Sequence, residues 1–281
     1  VLKDRGYTHY YARSLPFGSH ETHAMAYCTR RPGGFTSEHI DTLRVMSLAM
    51  AGRLEAFSLH HTLDSLLKVY LGRDAAARVL AGAFKRGSGT EIDAAIWFCD
   101  LRGFTKLSDS TDAHAVVSLL DQVFERVGLA VVERGGTILK FIGDAVLAIF
   151  PGAGGEGQEA CRNALDASKD AIDHLEIFNA QRQSRGVAPV GMGIALHHGK
   201  VYYGNIGAAE RLDFTVIGAA VNEVCRLESL CKEVGQDILM TDSFARTLDS
   251  TELVSLGKHR FKGVGRAVEV FGVESPVKTA E

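Results

Sequence analysis

Apolar residues along this chain recur with two periods. Ile40, Leu43, Met50, Leu54 and Phe57 alternate by three and four, with Ser47 in the gap. Leu59, Leu63, Leu66 and Tyr70 continue that spacing after a register shift. This predicts a long helix whose seam suits a parallel two-helix contact. Ser37 is placed as its N-cap, with Glu38 putting negative charge in the first turn. Ahead of it, residues 8–15 and 22–27 read as strands, followed by a turn at Arg31-Pro32-Gly33-Gly34. Gly72-Arg73-Asp74 ends the helical pattern. A short helix is expected over 75–84, and the polar stretch 85–90 is placed as a domain boundary.

Beyond residue 90 the period switches between two and 3.6. Residues 92–100 read as a strand. Asp112 or Thr111 caps a helix running to about Arg134, where Gly135-Gly136 ends it. Two apolar runs within 137–150 meet at Gly143-Asp144 and read as a hairpin with a two-residue turn. A long helix is expected over 156–185. Residues 190–198 and 200–205 read as a strand pair around Gly199. A short extended piece at 215–217 precedes a helix over 219–234, and strands over 237–241, 253–260 and 268–273 finish the sheet. The expected class is α+β: a ferredoxin-like, mainly antiparallel sheet of the βαββαβ type with flanking helices. A partial sensor domain and a long helix precede it.

Composition narrows the partners. The chain has 281 residues, 46% hydrophobic and 23% charged, which describes a soluble globular protein. A net charge of −3 gives no electrostatic case for nucleic acid or an anionic membrane. Five cysteines without C-x-x-C spacing suit a reducing, cytoplasmic setting better than a disulfide framework or a zinc site. No apolar run approaches the ~20 residues of a membrane helix, and no signal peptide is visible. The opening reads like the middle of a fold, so the chain is expected to be a piece of a longer protein.

The candidate chemistry lies in two acids. Asp144 stands at the tip of the apolar hairpin, and Asp100 at the end of the apolar strand before it. The helical crossover between the strand ending at Asp100 and the first hairpin strand makes those two parallel. The returning strand lies between them, so both acids meet at one edge of the sheet. Two such carboxylates repel unless a cation joins them. Hard oxygen ligands open to phosphate point to Mg²⁺ or Mn²⁺. Taken singly, Asp144 reads equally as a turn acid and Asp100 as a strand-end cap.

Four stretches then carry a family resemblance. They are F-C-D-L-R-G-F-T from Phe98, L-K-F-I-G-D from Leu139, H-H-G-K-V-Y-Y-G-N-I-G from His197, and L-D-F-T-V-I-G-A-A-V-N-E-V-C-R-L-E from Leu212. Over about 92–273 the chain closely resembles the class III nucleotidyl cyclase catalytic domain. The resemblance implies two divalent metal ions on Asp100 and Asp144, with the Leu101 carbonyl as a further ligand. It implies purine reading by Lys140 and Thr215, the pairing of an adenylate cyclase subclass that includes bicarbonate-responsive enzymes. Lysine would donate to adenine N1 and the threonine hydroxyl accept from N6. It implies a transition-state pair, Asn222 and Arg226, four apart on one helix face. It also implies a homodimer with composite sites, in which the acids of one copy face the purine and arginine residues of the other.

The resemblance has gaps. Some relatives carry an arginine ahead of the strand bearing His197; here Val190, Gly191 and Met192 stand there, and Lys262 in R-F-K-G-V-G is the candidate for gripping the terminal phosphates. Adjacent His197 and His198 point to opposite faces and read as structural. Lys140 also reads as a solvated strand lysine, and Arg226 as an ion-pair partner of Glu223 or Glu228. The expected domains are residues 1–60, the C-terminal part of a GAF-like sensor resembled through R-R-P-G-G-F-T-S-E-H-I; 61–90, a signalling helix region; and 91–275, the catalytic domain. The expected reaction converts ATP to 3′,5′-cyclic AMP and pyrophosphate, with a guanylate cyclase or a catalytically dead nucleotide-binding dimer as alternatives. Diguanylate synthesis is set aside, because its Gly-Gly-acid-Glu-Phe turn is replaced by Ile142-Gly143-Asp144-Ala145.

Overall fold

The computed structural model describes all residues except 1, 19–22, 153–156, 249, 251, 262–264 and 274–281. They form two units, Val1–Tyr70 and Leu71–Glu281. In the first, β1 (His9–Leu15) and β2 (His23–Thr29) pair antiparallel, His9 opposite Thr29. The 35-residue α1 (Ser37–Leu71) follows. Its cap is Thr36, one residue before the expected Ser37. The Thr36 hydroxyl accepts from the His39 amide at 3.3 Å, and its carbonyl accepts the first helical bond from Ile40. Tyr27 Oη and Ser47 Oγ lie 3.0 Å apart, so Ser47 in the seam gap faces the hairpin. Of this helix only Ser47 and Ala51 are buried; Phe57, Leu59, Leu63, Leu66, Val69 and Tyr70 stay exposed.

The second unit opens with α2 (Arg73–Leu80) and β3 (Gly89–Arg102). Then come α3 (Phe104–Ser110), α4 (Ala113–Glu133), β4 (Thr137–Ile142), β5 (Ala145–Pro151), α5 (Gly157–Gln183) and β6 (Gly191–Gly207). The chain ends with β7 (Leu212–Ile217), α6 (Ala219–Val234), β8 (Ile238–Thr241), α7 (Asp242–Leu248), β9 (Leu253–Arg260) and β10 (Ala267–Val273). The sheet runs β4-β5-β3-β6-β8-β10-β9, with β7 added alongside β6. The order β4-β5-β3-β6 is that of the ferredoxin-like βαββαβ core, and β5 lies between β4 and β3 as expected. Among the described residues only the β6–β8 pairing is parallel.

Alternation along β3 sorts the core. Ala95, Trp97, Cys99 and Leu101 pack under α4 and α5. Ala94 and Ile96 pack on the other face with α6. The Trp97 indole donates to Ser168 Oγ at 2.8 Å, so its one polar atom is paired in the interior. Burying a side chain of that size contributes on the order of 2–3 kcal/mol. Asp112 caps α4 by accepting from the His114 amide at 2.9 Å.

One expectation is corrected here. Residues 190–198 and 200–205 are not a strand pair around Gly199 but one continuous strand, β6. Its partner β3 is long enough to pair with it without a break, from Gly89 opposite Gly204 to Arg102 opposite Gly191. Gly199 does not adopt a positive φ, whereas Gly143, which does turn the chain, has φ 63°. The seven-residue helices α3 and α7 were not anticipated, because pieces so short and polar carry no readable period.

Candidate active site

The hairpin β4–β5 and the end of β3 put two acids at one rim. Cys99 pairs with Val146 across the strands, so Asp100 lies one step from the turn that carries Asp144. The two carboxyl groups lie close enough to share a proton. Burial, then proton sharing with Asp144 and its charge, push Asp100 up to about 6, against the Leu101 amide, which donates to it. Among the described residues neither carboxylate has a lysine or arginine partner. Arg102 is committed elsewhere, to Asp237 at 2.8 Å and the Gln236 carbonyl at 2.7 Å. Two close carboxylates without a cation fit divalent ions. Among the described residues no three His, Cys, Asp or Glu side chains are arranged around a metal. Ions held here would therefore need further oxygens, from the Leu101 carbonyl or from a polyphosphate.

A third acid was missed. Glu228 sits close by, and burial followed by the charge of Asp100 pushes it up to about 7, with Arg102 opposing. It rests over Gly193, directly across from Asp100; a Cβ on that glycine would come within 2.5 Å of the Glu228 carboxylate. The L-E after Arg226 held no sign of this, since only helix packing on β6 turns Glu228 toward the rim.

The stability consequence has a definite sign. Asp100 is raised in the fold from 3.8 to about 6. Its favourable contribution is therefore present below pH ~3.8 and lost as pH rises through ~6, leaving a metal-free fold strained at neutral pH. Asp100→Asn is expected to melt higher than the parent at pH 7.5 in EDTA, the gap closing below pH 4. Thermal melts at the two pH values test this; an equal or lower melting point at pH 7.5 refutes it.

Lys140 and Thr215 are brought to one region by different strands. A bulge interrupts the β4–β5 register between Ile138 and Lys140, which frees the direction of Lys140 from strict alternation. Its ammonium lies 3.0 Å from Asp213 on β7. Thr215 shares Asp213's side of β7 by its two-residue offset. Its hydroxyl is buried and has no hydrogen-bond partner among the described residues. An orphaned buried hydroxyl beside a lysine is a ready place for a heterocycle edge. Asp213 was not singled out from the sequence, although the same alternation with Thr215 marks it. Phe141, Ile142 and Ile217, which flank these residues, are exposed apolar side chains.

Asn222 and Arg226 lie four apart on α6, whose buried side is Ala220, Val224, Leu227 and Cys231. Asn222 is exposed and Arg226 half-buried. The ion-pair alternative for Arg226 is not realised. Glu223 pairs instead with Arg266 at 3.3 Å, Glu228 faces the acid rim, and Arg226 has no ion-pair partner among the described residues. No hydrogen bond or ion pair among the described residues joins the acid pair to Lys140, Asn222 or Arg226 of the same chain. Lys262 lies outside the described residues. His197 and His198 part as expected. His197 bonds Thr241 Oγ1 at 2.9 Å, and burial, then the charge of Arg266, lowers it to about 4. His198 meets Asp93 at 3.2 Å.

Comparison with known proteins gives this arrangement a context. The family pattern described as the adenylate and guanylate cyclase catalytic domain matches residues 89–274. An adenylate cyclase of Anabaena cylindrica is 34% identical over 197 residues, 67% of this chain and 38% of that protein. Adenylate cyclase 1 of Rhizobium meliloti (strain 1021) is 29% identical over 208 residues, 72% of this chain and 31% of that protein. The chain thus spans about a third of the length of these relatives. Among solved structures, the adenylyl cyclase CyaB from P. aeruginosa superposes with a TM-score of 0.61 at 26% identity, covering 69% of this chain and 100% of that one. The guanylyl cyclase Cya2 does so with 0.58 at 30% identity, covering 68% and 97%.

Proposed function

We propose that this chain, which belongs to the adenylate and guanylate cyclase catalytic-domain family, converts ATP to 3′,5′-cyclic AMP and pyrophosphate. The observation that carries the reading is the close pair Asp100 and Asp144, two carboxylates with no lysine or arginine partner among the described residues. With the Leu101 carbonyl they would hold two divalent ions, Mg²⁺ or Mn²⁺. Such ions, when bound, lower the pKa of the ribose 3′-hydroxyl and offset the triphosphate charge. The 3′-oxygen gives its proton to solvent and bonds to the α-phosphorus, while the bond from that phosphorus to the pyrophosphate oxygen breaks. Arg226 offers a planar, always-charged fork to the α-phosphoryl as charge shifts. Asn222 holds the ribose so that attack is in line. Lys262 is the candidate for the terminal phosphates.

The adenine reading rests on Lys140 and the unpartnered Thr215 hydroxyl. Lys140 donates to N1, and Thr215 accepts from the N6 amine; guanine presents donors where adenine presents N1, so it meets lysine unfavourably. The homodimer reading is supported by the unpaired Arg226 and exposed Asn222, and by Phe141, Ile142 and Ile217 around the purine residues. The first unit is proposed as the tail of a sensor, with α1 pairing against its counterpart in a second copy through its exposed apolar seam. Among the described residues no helix is long and apolar enough to cross a membrane.

The deciding measurement offers ATP and GTP together, with Mg²⁺ or Mn²⁺, and identifies the products. Cyclic AMP is expected to dominate, and Lys140→Glu to lower kcat/KM for ATP about a hundredfold while raising that for GTP. Dominant cyclic GMP from the parent chain would make it a guanylate cyclase. Nucleotide binding without pyrophosphate release would make it a regulatory dimer.

A further inference from the structure

Glu223 lies between Asn222 and Arg226 on α6, yet its side chain turns the other way. Its carboxylate is largely buried and sits 3.3 Å from Arg266 Nη2. The second arm of that guanidinium, Nη1, reaches Asp242 Oδ1 at 3.6 Å, where α7 begins. Asp242 Oδ1 is buried and makes no hydrogen bond among the described residues, so the Arg266 contact is an ion pair, while Asp242 Oδ2 pairs with Arg246 at 3.4 Å. On the inner side His197 Nδ1 stands 3.9 Å from Glu223, and Thr241 and Ser243 hold that ring at 2.9 and 3.4 Å. One arginine therefore ties α6 to α7 from the segment leading into β10.

Leu227 and Cys231 anchor the later turns of α6 in the core, but its first two turns are held less firmly. Its N-cap is Gly218, which supplies no side-chain cap. The buried stripe in its first two turns is Ala220 and Val224, small side chains that allow a helix to roll or slide. A roll of α6 moves Asn222 and Arg226 together, and misplacement of about 1 Å at a reacting centre costs rate steeply. We propose that Arg266 is a positioning residue: by gripping Glu223 and Asp242 at once it sets the rotation of α6, and so aims Asn222 and Arg226. The proposal rests on the cyclase reading for its catalytic consequence, and on the fold alone for its mechanical one.

Two readouts in the full chain separate these. Hydrogen exchange over residues 219–227 is expected to rise about tenfold in Arg266→Ala, because a charged hydrogen-bonded tie is lost. Its kcat with ATP and Mn²⁺ is expected to fall about tenfold, with KM within about twofold, since binding groups stay and aim is lost. Arg266→Lys, which can reach only one acid at a time, falls between. The exchanged pair Glu223→Arg with Arg266→Glu is expected to recover less than Arg266→Lys, since glutamate in place of Arg266 repels Asp242. Unchanged exchange over α6 in Arg266→Ala overturns the proposal whatever the activity. So does a fall in kcat accounted for by a lower melting temperature. If exchange rises but the parent makes no cyclic nucleotide, the cyclase reading fails and the tie stands.

Discussion

Asp144→Asn is expected to lower cyclic AMP formation at least about a thousandfold, with Mg²⁺ or Mn²⁺. The substitution removes one charge and almost no volume. Asparagine suits a turn position after a glycine at φ 63°, so the hairpin should form as before. What is lost is half of the pair proposed to draw divalent ions to the rim. The reasoning is electrostatic. Asp100 is already raised to about 6 by burial and by its neighbour, so a lone Asp100 becomes a more ordinary carboxylate and a weaker site. The expected signature is lost activity in a protein that melts no lower than its parent. The rate of pyrophosphate release, measured beside thermal melts, checks both. A rate within tenfold of the parent would mean that the ions bind elsewhere.

Mixing Asp100→Ala chains with Arg226→Ala chains is expected to restore roughly a quarter of the parent activity, though each alone is nearly inactive. Random pairing makes half of the dimers mixed. In each mixed dimer one composite site carries both defects and the other carries none. The effect is large because Arg226→Ala alone is expected to cost about 10²–10³ in rate, as for loss of a group that bonds the transition state. The case rests on Arg226 standing without an ion-pair partner, and on no bond joining it to Asp100 or Asp144 in its own chain among the described residues. No recovery on mixing, under conditions where dimers exchange, would place the whole site within one chain.

Much of this architecture is legible in the linear pattern, and the reasons are local. The hairpin at Gly143-Asp144, the helix from Ala219 to Val234 and the strand from Leu253 to Arg260 follow from periodicity and punctuation. Asp100 and Asp144 are placed together by a right-handed crossover and a split β-α-β arrangement, which bring both to one edge. The misreadings are equally physical. Gly199 looks like a turn from its neighbours, but a turn needs the backbone to reverse, and an unbroken partner strand keeps it extended. Thr36 takes the cap from Ser37 because the entry direction of the chain decides which hydroxyl reaches the free amides.

Residue identities and spacing thus sufficed for most of the elements and for the neighbourhood of Asp100 and Asp144, since these depend on residues a few positions apart and on a universal hand. Asp213, Glu228 and Arg266 draw notice only through contacts between distant segments. Lys140 meets Asp213 across 73 positions, and Arg266 meets Glu223 across 43. No period or motif encodes such meetings; they exist because tertiary packing brings charges from distant segments within reach of one another.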